Sequence, residues 1–169
     1  EYRYPLKAMI EDFYPVANLD FEYGAFRHAL YDLTGWNILC PLPDTCVREM
    51  NHYFRQTLAQ ACPAVQDDAQ YTQAWADMCA FRALAILTWL PPTVIQTNRP
   101  WVDEQWTSRH AVLAALTRLR DATAGVKSLA PVNEAVARLN TALHLRWPEF
   151  NNGQILTPAW LAFAAEQTD

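Results

Sequence analysis

Residues 67–92 read DDAQYTQAWADMCAFRALAILTWLPP, and this stretch decides the fold. Asp67 and Asp68 put negative charge where a helix N-terminus carries partial positive charge, and Pro91 and Pro92 end any helix that reaches them. Between these limits Tyr71, Trp75, Met78, Cys79, Ala83, Ile86 and Leu87 recur at helical spacing, and the second half is apolar nearly all round. The pattern predicts a long helix buried at the centre of a helical protein.

The flanking segments extend the same reading. Upstream, Ala25 to Ile38 carries Phe26, Leu30, Leu33 and Ile38, most of them on one predicted helical face, and the CPLP segment at 40–43 stops it. Asp44 is a candidate N-cap for a helix to about Ala61, with Val47, Met50, Tyr53, Phe54 and Leu58 facing inward. Downstream, Asp103 is expected to open a helix with Trp106, His110, Leu113, Leu116 and Leu119 on its inner face, ended by Gly125. Pro131 suits the first turn of a helix bearing Val132, Val136, Leu139 and Leu143, and a short helix is expected from Pro158. Residues 1–24 differ: KAMIED and YPVANLDFE are short, partly alternating stretches that predict a β-hairpin. The expected fold class is therefore mainly α, a short N-terminal β-hairpin followed by a five- to six-helix bundle. Residues 1–169 are expected to form a single domain, with the hairpin and its turn in 1–24 and the helical part in 25–169.

Composition narrows the functional classes. Hydrophobic residues make up 51% of the chain and charged residues 18%, which excludes a disordered chain. The formal net charge is -5 and no Lys/Arg cluster occurs, so nucleic acid is not an expected partner. The best apolar run, Ala83 to Leu90, is too short to cross a bilayer, and EYRYPLKAMI lacks a signal-peptide core. No membrane partner and a cytoplasmic location are the expectations. Cys40, Cys46, Cys62 and Cys79 form no CxxC pair; thiols in a reducing compartment are the first expectation, and a local Cys40–Cys46 disulfide is the alternative in an oxidising one.

The residues with chemical content lie where the expected hairpin ends. Leu19-Asp20-Phe21-Glu22-Tyr23-Gly24 is followed by Ala29-Leu30-Tyr31-Asp32-Leu33. This order of motifs, an acid at a strand end and then a helix bearing a second Asp, resembles the metal-binding turn of the aminoglycoside phosphotransferase and choline kinase family, with the helical C-terminal lobe following. The resemblance implies a kinase-like phosphotransferase acting on a small hydroxylated or amino-bearing molecule, with Mg²⁺ and ATP as cofactors. Asp20 would be the metal ligand, because Mg²⁺ is a hard ion that takes carboxylate oxygen, and Glu22 a second, water-mediated acid in the nucleotide site. Asp32 would tie its helix to the preceding loops.

The chain departs from that family in two respects. An H-x-D-x-x-x-x-N catalytic loop is expected about one hairpin upstream of Asp20, which falls near Tyr2 and Lys7, and neither side chain can serve as carboxylate base or metal ligand. Taking Asp12 to Asn18 as that loop leaves no room for a hairpin before Asp20. A Gly-rich phosphate loop and a strand Lys are also not found, so the expectation is a fragment, or a degenerate relative, inactive as this isolated chain. The alternative function is a non-catalytic helical binding or scaffold domain.

Other residues add secondary candidates. His28, His52, His110 and His144 lie on separate predicted helices without the i, i+4 pairing of a helical zinc site; His28, between the acidic turn and Asp32, is a substrate-pocket candidate. Trp101 and Trp106, flanking a loop, are the other two, since aromatic faces suit a cationic ligand. Ser108 and Ser128 lack a nucleophile-elbow context. With the partner lobe absent, an exposed apolar face is expected to drive homodimer formation or association with another chain.

Overall fold

The computed structural model describes residues 28–40, 42–89, 96–101 and 106–150. These form five α-helices: α1 (Tyr31–Leu39), α2 (Asp44–Ala59), α3 (Asp68–Trp89), α4 (Ser108–Thr123) and α5 (Ala130–Arg146). Among the described residues no strand occurs beyond an isolated antiparallel bridge between Pro100 and Thr107. The hairpin expected over 1–24, the acidic turn at Asp20 and Glu22, and the helix expected from Pro158 lie outside the described residues.

Helix α4 is the hub, packing against α5, α3 and α1, while α3 also packs along α1. Its inner face supplies Val112, Leu113, Ala115, Leu116 and Leu119 to a core shared with Ile38, Cys79, Ala80, Ala83, Val136 and Trp147. A second cluster forms where Leu30 and Leu33 of the α1 segment meet Tyr71 of α3, with Met50 and Phe54 of α2 packed against it. No residue of α2 is fully buried, so this helix lies on the bundle's flank.

Side-chain hydrogen bonds fix α2 in that place. Arg55 donates to Val65 O at 2.8 Å, to Gln66 O at 3.1 Å and to Asp68 Oδ1 at 2.6 Å, and its guanidinium lies 4.5 Å from the Tyr71 ring centroid. Tyr71 in turn donates from its hydroxyl to Asn51 Oδ1. One arginine thus joins α2, the turn after it and the start of α3.

Local chemistry sets the helix boundaries. Asp67 Oδ1 accepts from the backbone N–H groups of Ala69 and Gln70, capping α3 as its acids predict. Gly125 stops the chain after α4 in the left-handed region at φ 77°, where a glycine costs nothing sterically. Two helices begin later than expected. Residues 28–30 are a turn, because Leu30 N–H donates to His28 Nδ1 and Tyr31 N–H to His28 O, so α1 starts at Tyr31 and not at Ala25. Likewise α4 starts at Ser108: Thr107 and His110 form a capping box, and Thr107 is held in the bridge to Pro100, which keeps Trp106 and Thr107 out of the helix.

The inward stripes also need correction. Phe81 and Leu84 of α3 are 56% and 51% exposed, so the central helix has one open apolar side; Tyr53 of α2 and Leu139 of α5 also face out. All four cysteines are free, with Cys79 buried, Cys40 and Cys46 half-buried and Cys62 exposed. No helix among the described residues is long and apolar enough to cross a membrane.

Burial pushes the Cys79 thiol up to about 12 from its ordinary 9.0, opposed by the Asn37 amide that donates toward Cys79 Sγ at 3.5 Å. A thiol held protonated in the fold stabilises it fully below the unfolded thiol's range and loses that contribution as pH rises from 9 toward 12. Urea midpoints from pH 8 to 11 should therefore fall more steeply for the wild type than for Cys79→Ala. Thiol labelling at pH 8 should modify Cys62 first and Cys79 only once the chain unfolds.

Candidate functional site at the entry to α1

The turn at residues 28–30 feeds α1, and the sequence places Asp20 and Glu22 just upstream of it. His28 sits in this turn with an exposed side chain whose Nδ1 accepts the Leu30 N–H at 3.2 Å. Its first role is to hold the turn. Asp32, one residue into α1, is exposed and makes no hydrogen bond or ion pair with a described residue; the preceding loops to which it is expected to tie the helix lie outside the described residues.

Beside Asp32, Tyr31 meets two residues of α3. The guanidinium of Arg82 lies 4.1 Å from the Tyr31 ring centroid, and the Phe81 ring is 6.3 Å away and tilted by 51°. The cation reaches this position because Gly35, one turn further along α1, has no side chain: a Cβ there would stand 2.6 Å from Arg82 Nη2. Glycine inside a helix costs about 1 kcal/mol relative to alanine, so the notch is built at the expense of helix stability. Arg82 Nε is buried and has no acceptor among the described residues. Trp36, next along the helix, is 37% exposed. Together Tyr31, Phe81 and Arg82 make a surface that is aromatic and cationic.

The two tryptophan candidates differ from each other in environment. Trp101 N–H donates to Trp106 O at 2.8 Å, yet the Trp101 ring is 48% exposed whereas Trp106 is 2% exposed. The Trp106 ring stacks on His110 with centroids 5.5 Å apart, and His110 meets the edge of Phe150 at 4.5 Å. Trp106 is thus packed as a core residue. Nearby, Arg109 donates to Glu149 Oε1 at 2.8 Å and to Gln96 O at 3.2 Å, and covers the Trp147 ring at 5.0 Å, closing α4 onto the end of α5. No hydrogen bond or ring contact joins His28 to either tryptophan among the described residues.

Among the described residues, no group of three or more His, Cys, Asp or Glu side chains could hold a metal ion. The acids expected to take Mg²⁺, Asp20 and Glu22, lie outside the described residues. Sequence reasoning passed over the Arg82–Tyr31–Gly35 arrangement, although an arginine within an apolar helix and a glycine within a second helix were both visible signals. Comparison with known protein families, characterised proteins and solved structures finds no match to this chain.

Proposed function

We propose that this chain is the helical lobe of a small-molecule phosphotransferase, ATP-dependent and directed at a hydroxylated or amino-bearing substrate. The observation that supports this reading is the order LDFEYG, then ALYDL, running directly into α1, the first described helix of a bundle in which α1, α3 and α4 pack on one another. In this reading Asp20 holds Mg²⁺, Glu22 orders water beside it, and the metal supplies charge neutralisation on the nucleotide phosphates. The turn at His28 leads into α1, and the bundle's core keeps α1 in register. An H-x-D-x-x-x-x-N loop is not found in the sequence, so phosphoryl transfer in this reading requires further elements of the phosphotransferase.

Determining the coding sequence upstream of Glu1 tests this. The reading expects a Gly-rich loop, a strand lysine and an H-x-D-x-x-x-x-N loop there; a start codon at once, with none of these, would contradict it.

A second reading, a helical interaction module, is favoured by the exposed Trp36, Phe81 and Leu84. It also accommodates a homodimer or an association with another chain. Sedimentation would show concentration-dependent association weakened by Phe81→Ser; a strict monomer at high concentration would count against it.

A further inference from the structure

We propose that α2 is a hinged lid that undocks from the bundle as one unit while α1, α3, α4 and α5 stay packed, uncovering the apolar cluster at the start of α1. Among the α-helices of the described residues, α2 stands apart in burial. Each of the others contributes fully buried side chains, and α2 contributes none. Its apolar residues Val47, Met50, Phe54 and Leu58 are all half-buried. Met50 and Phe54 lie against Leu30, Leu33 and Tyr71, whereas no residue of α2 enters the larger core built on α4.

The polar ties of α2 divide into a fixed hinge and a releasable latch. At the entry, Arg118 of α4 holds Asn37 O, Cys40 O and Leu42 O, which anchors the chain to the bundle up to Pro43. Asp44, the first residue of α2, adds an exposed carboxylate 4.0 Å from the same guanidinium. Beyond that point α2 reaches α3 through Asn51, which accepts from the Tyr71 hydroxyl, and through Arg55, which donates to Asp68 Oδ1 at 2.6 Å and lies over the Tyr71 ring. The side chains of this ion pair are 29% and 88% exposed, so water and salt screen it. Few buried apolar contacts and an exposed latch are the properties of a unit that opens below the global transition. Undocking bares Leu30, Leu33 and Tyr71, which are buried while α2 is seated. The inference rests on the packing of α2 and stands whether or not the chain is a phosphotransferase.

Amide hydrogen exchange of the whole chain, with urea raised in steps below the global transition, tests this. A lid predicts that the amides of Phe54, Arg55 and Leu58 share one opening reaction and exchange at least about tenfold faster than those of Leu116 and Leu119 in α4. Their urea dependence should also be the smaller, because undocking exposes less surface than global unfolding. Two variants separate the lid from general softness. Phe54→Ala weakens only the seated state and should speed exchange in α2 and α4 alike. Val136→Ala, in the core that α2 does not join, destabilises the seated and the open state equally against the unfolded chain. It should speed α4 exchange about tenfold or more and leave α2 exchange unchanged. Should Val136→Ala fail to fold, the urea dependences of the wild type decide. Amides of α2 and α4 that share one urea dependence, or a Val136→Ala effect equal in both helices, overturn the proposal. Exchange along α2 at unrelated, urea-independent rates also overturns it, since that marks fraying in place of a unit that opens together.

Discussion

Replacing Arg118 by alanine is expected to cost about 3–5 kcal/mol of folding stability, the range for stripping a buried charged group from its partners. The side chain is 7% exposed at the middle of α4 and reaches across to the chain between α1 and α2. There it donates to Asn37 O and Cys40 O, each at 2.6 Å, and to Leu42 O. These carbonyls lie where α1 ends and CPLP prevents the helix from continuing, so they have no helical donors of their own. One guanidinium therefore completes the end of α1 and ties it to α4. Burial pushes Arg118 down from its ordinary range, and Asp44 and the Cys40 thiol oppose that. Asp44 contributes little to the cost, being 4.0 Å away with an exposed side chain. Urea unfolding of Arg118→Ala should show the full loss, whereas Arg118→Lys should recover only part of it, because an ammonium cannot span three carbonyls from one position. Arg120→Ala, two residues on and exposed, should change stability by less than about 0.5 kcal/mol. Equal effects at 118 and 120 would contradict the clamp.

The second large effect is expected at Trp106. Its ring is 2% exposed, stacked on His110 and placed just before α4, so Trp106→Ala should cost about 3–5 kcal/mol through lost burial and the cavity left behind. Trp101→Ala, removing a ring that is 48% exposed, should cost less than about 1 kcal/mol. The pair distinguishes a packing residue from an exposed one. A Trp106→Ala protein with wild-type urea midpoint would show that the ring is not part of the core.

Where side-chain pattern alone decides structure, the sequence was readable. The acids at 67 and 68 and the run through Cys79 and Ala83 predict α3, and the structure places Cys79 and Ala83 in the core. Gly125 ends α4 as its freedom at positive φ requires. The misreadings have a common physical origin: they depend on partners far away in the chain. Phe81 and Leu84 repeat at the same helical spacing as the core residues, and only the positions of α1 and α4 determine which side of α3 is covered. Tyr53 looks apolar in a stripe, but α2 packs on the flank and leaves it open. The start of α1 differs from the expectation because His28 holds the turn before it with its own ring nitrogen, a local bond that hydrophobic periodicity does not record.

For the site, the distinction is similar. The expected acidic turn at Asp20 and Glu22 is contiguous in sequence and lies outside the described residues. The Arg82 arrangement was not legible, since Tyr31, Gly35 and Arg82 come together only when α1 packs along α3. Asp32, chosen from the same motif as Asp20, makes no bond with described residues and so serves as a control.

Calorimetric titration of Mg²⁺-ATP into the wild-type chain, Asp20→Ala and Asp32→Ala tests the phosphotransferase reading most directly. The account predicts saturable binding to the wild type and to Asp32→Ala, and its loss in Asp20→Ala. Binding that survives in Asp20→Ala, or no binding to any of the three, would contradict a nucleotide site at the acidic turn.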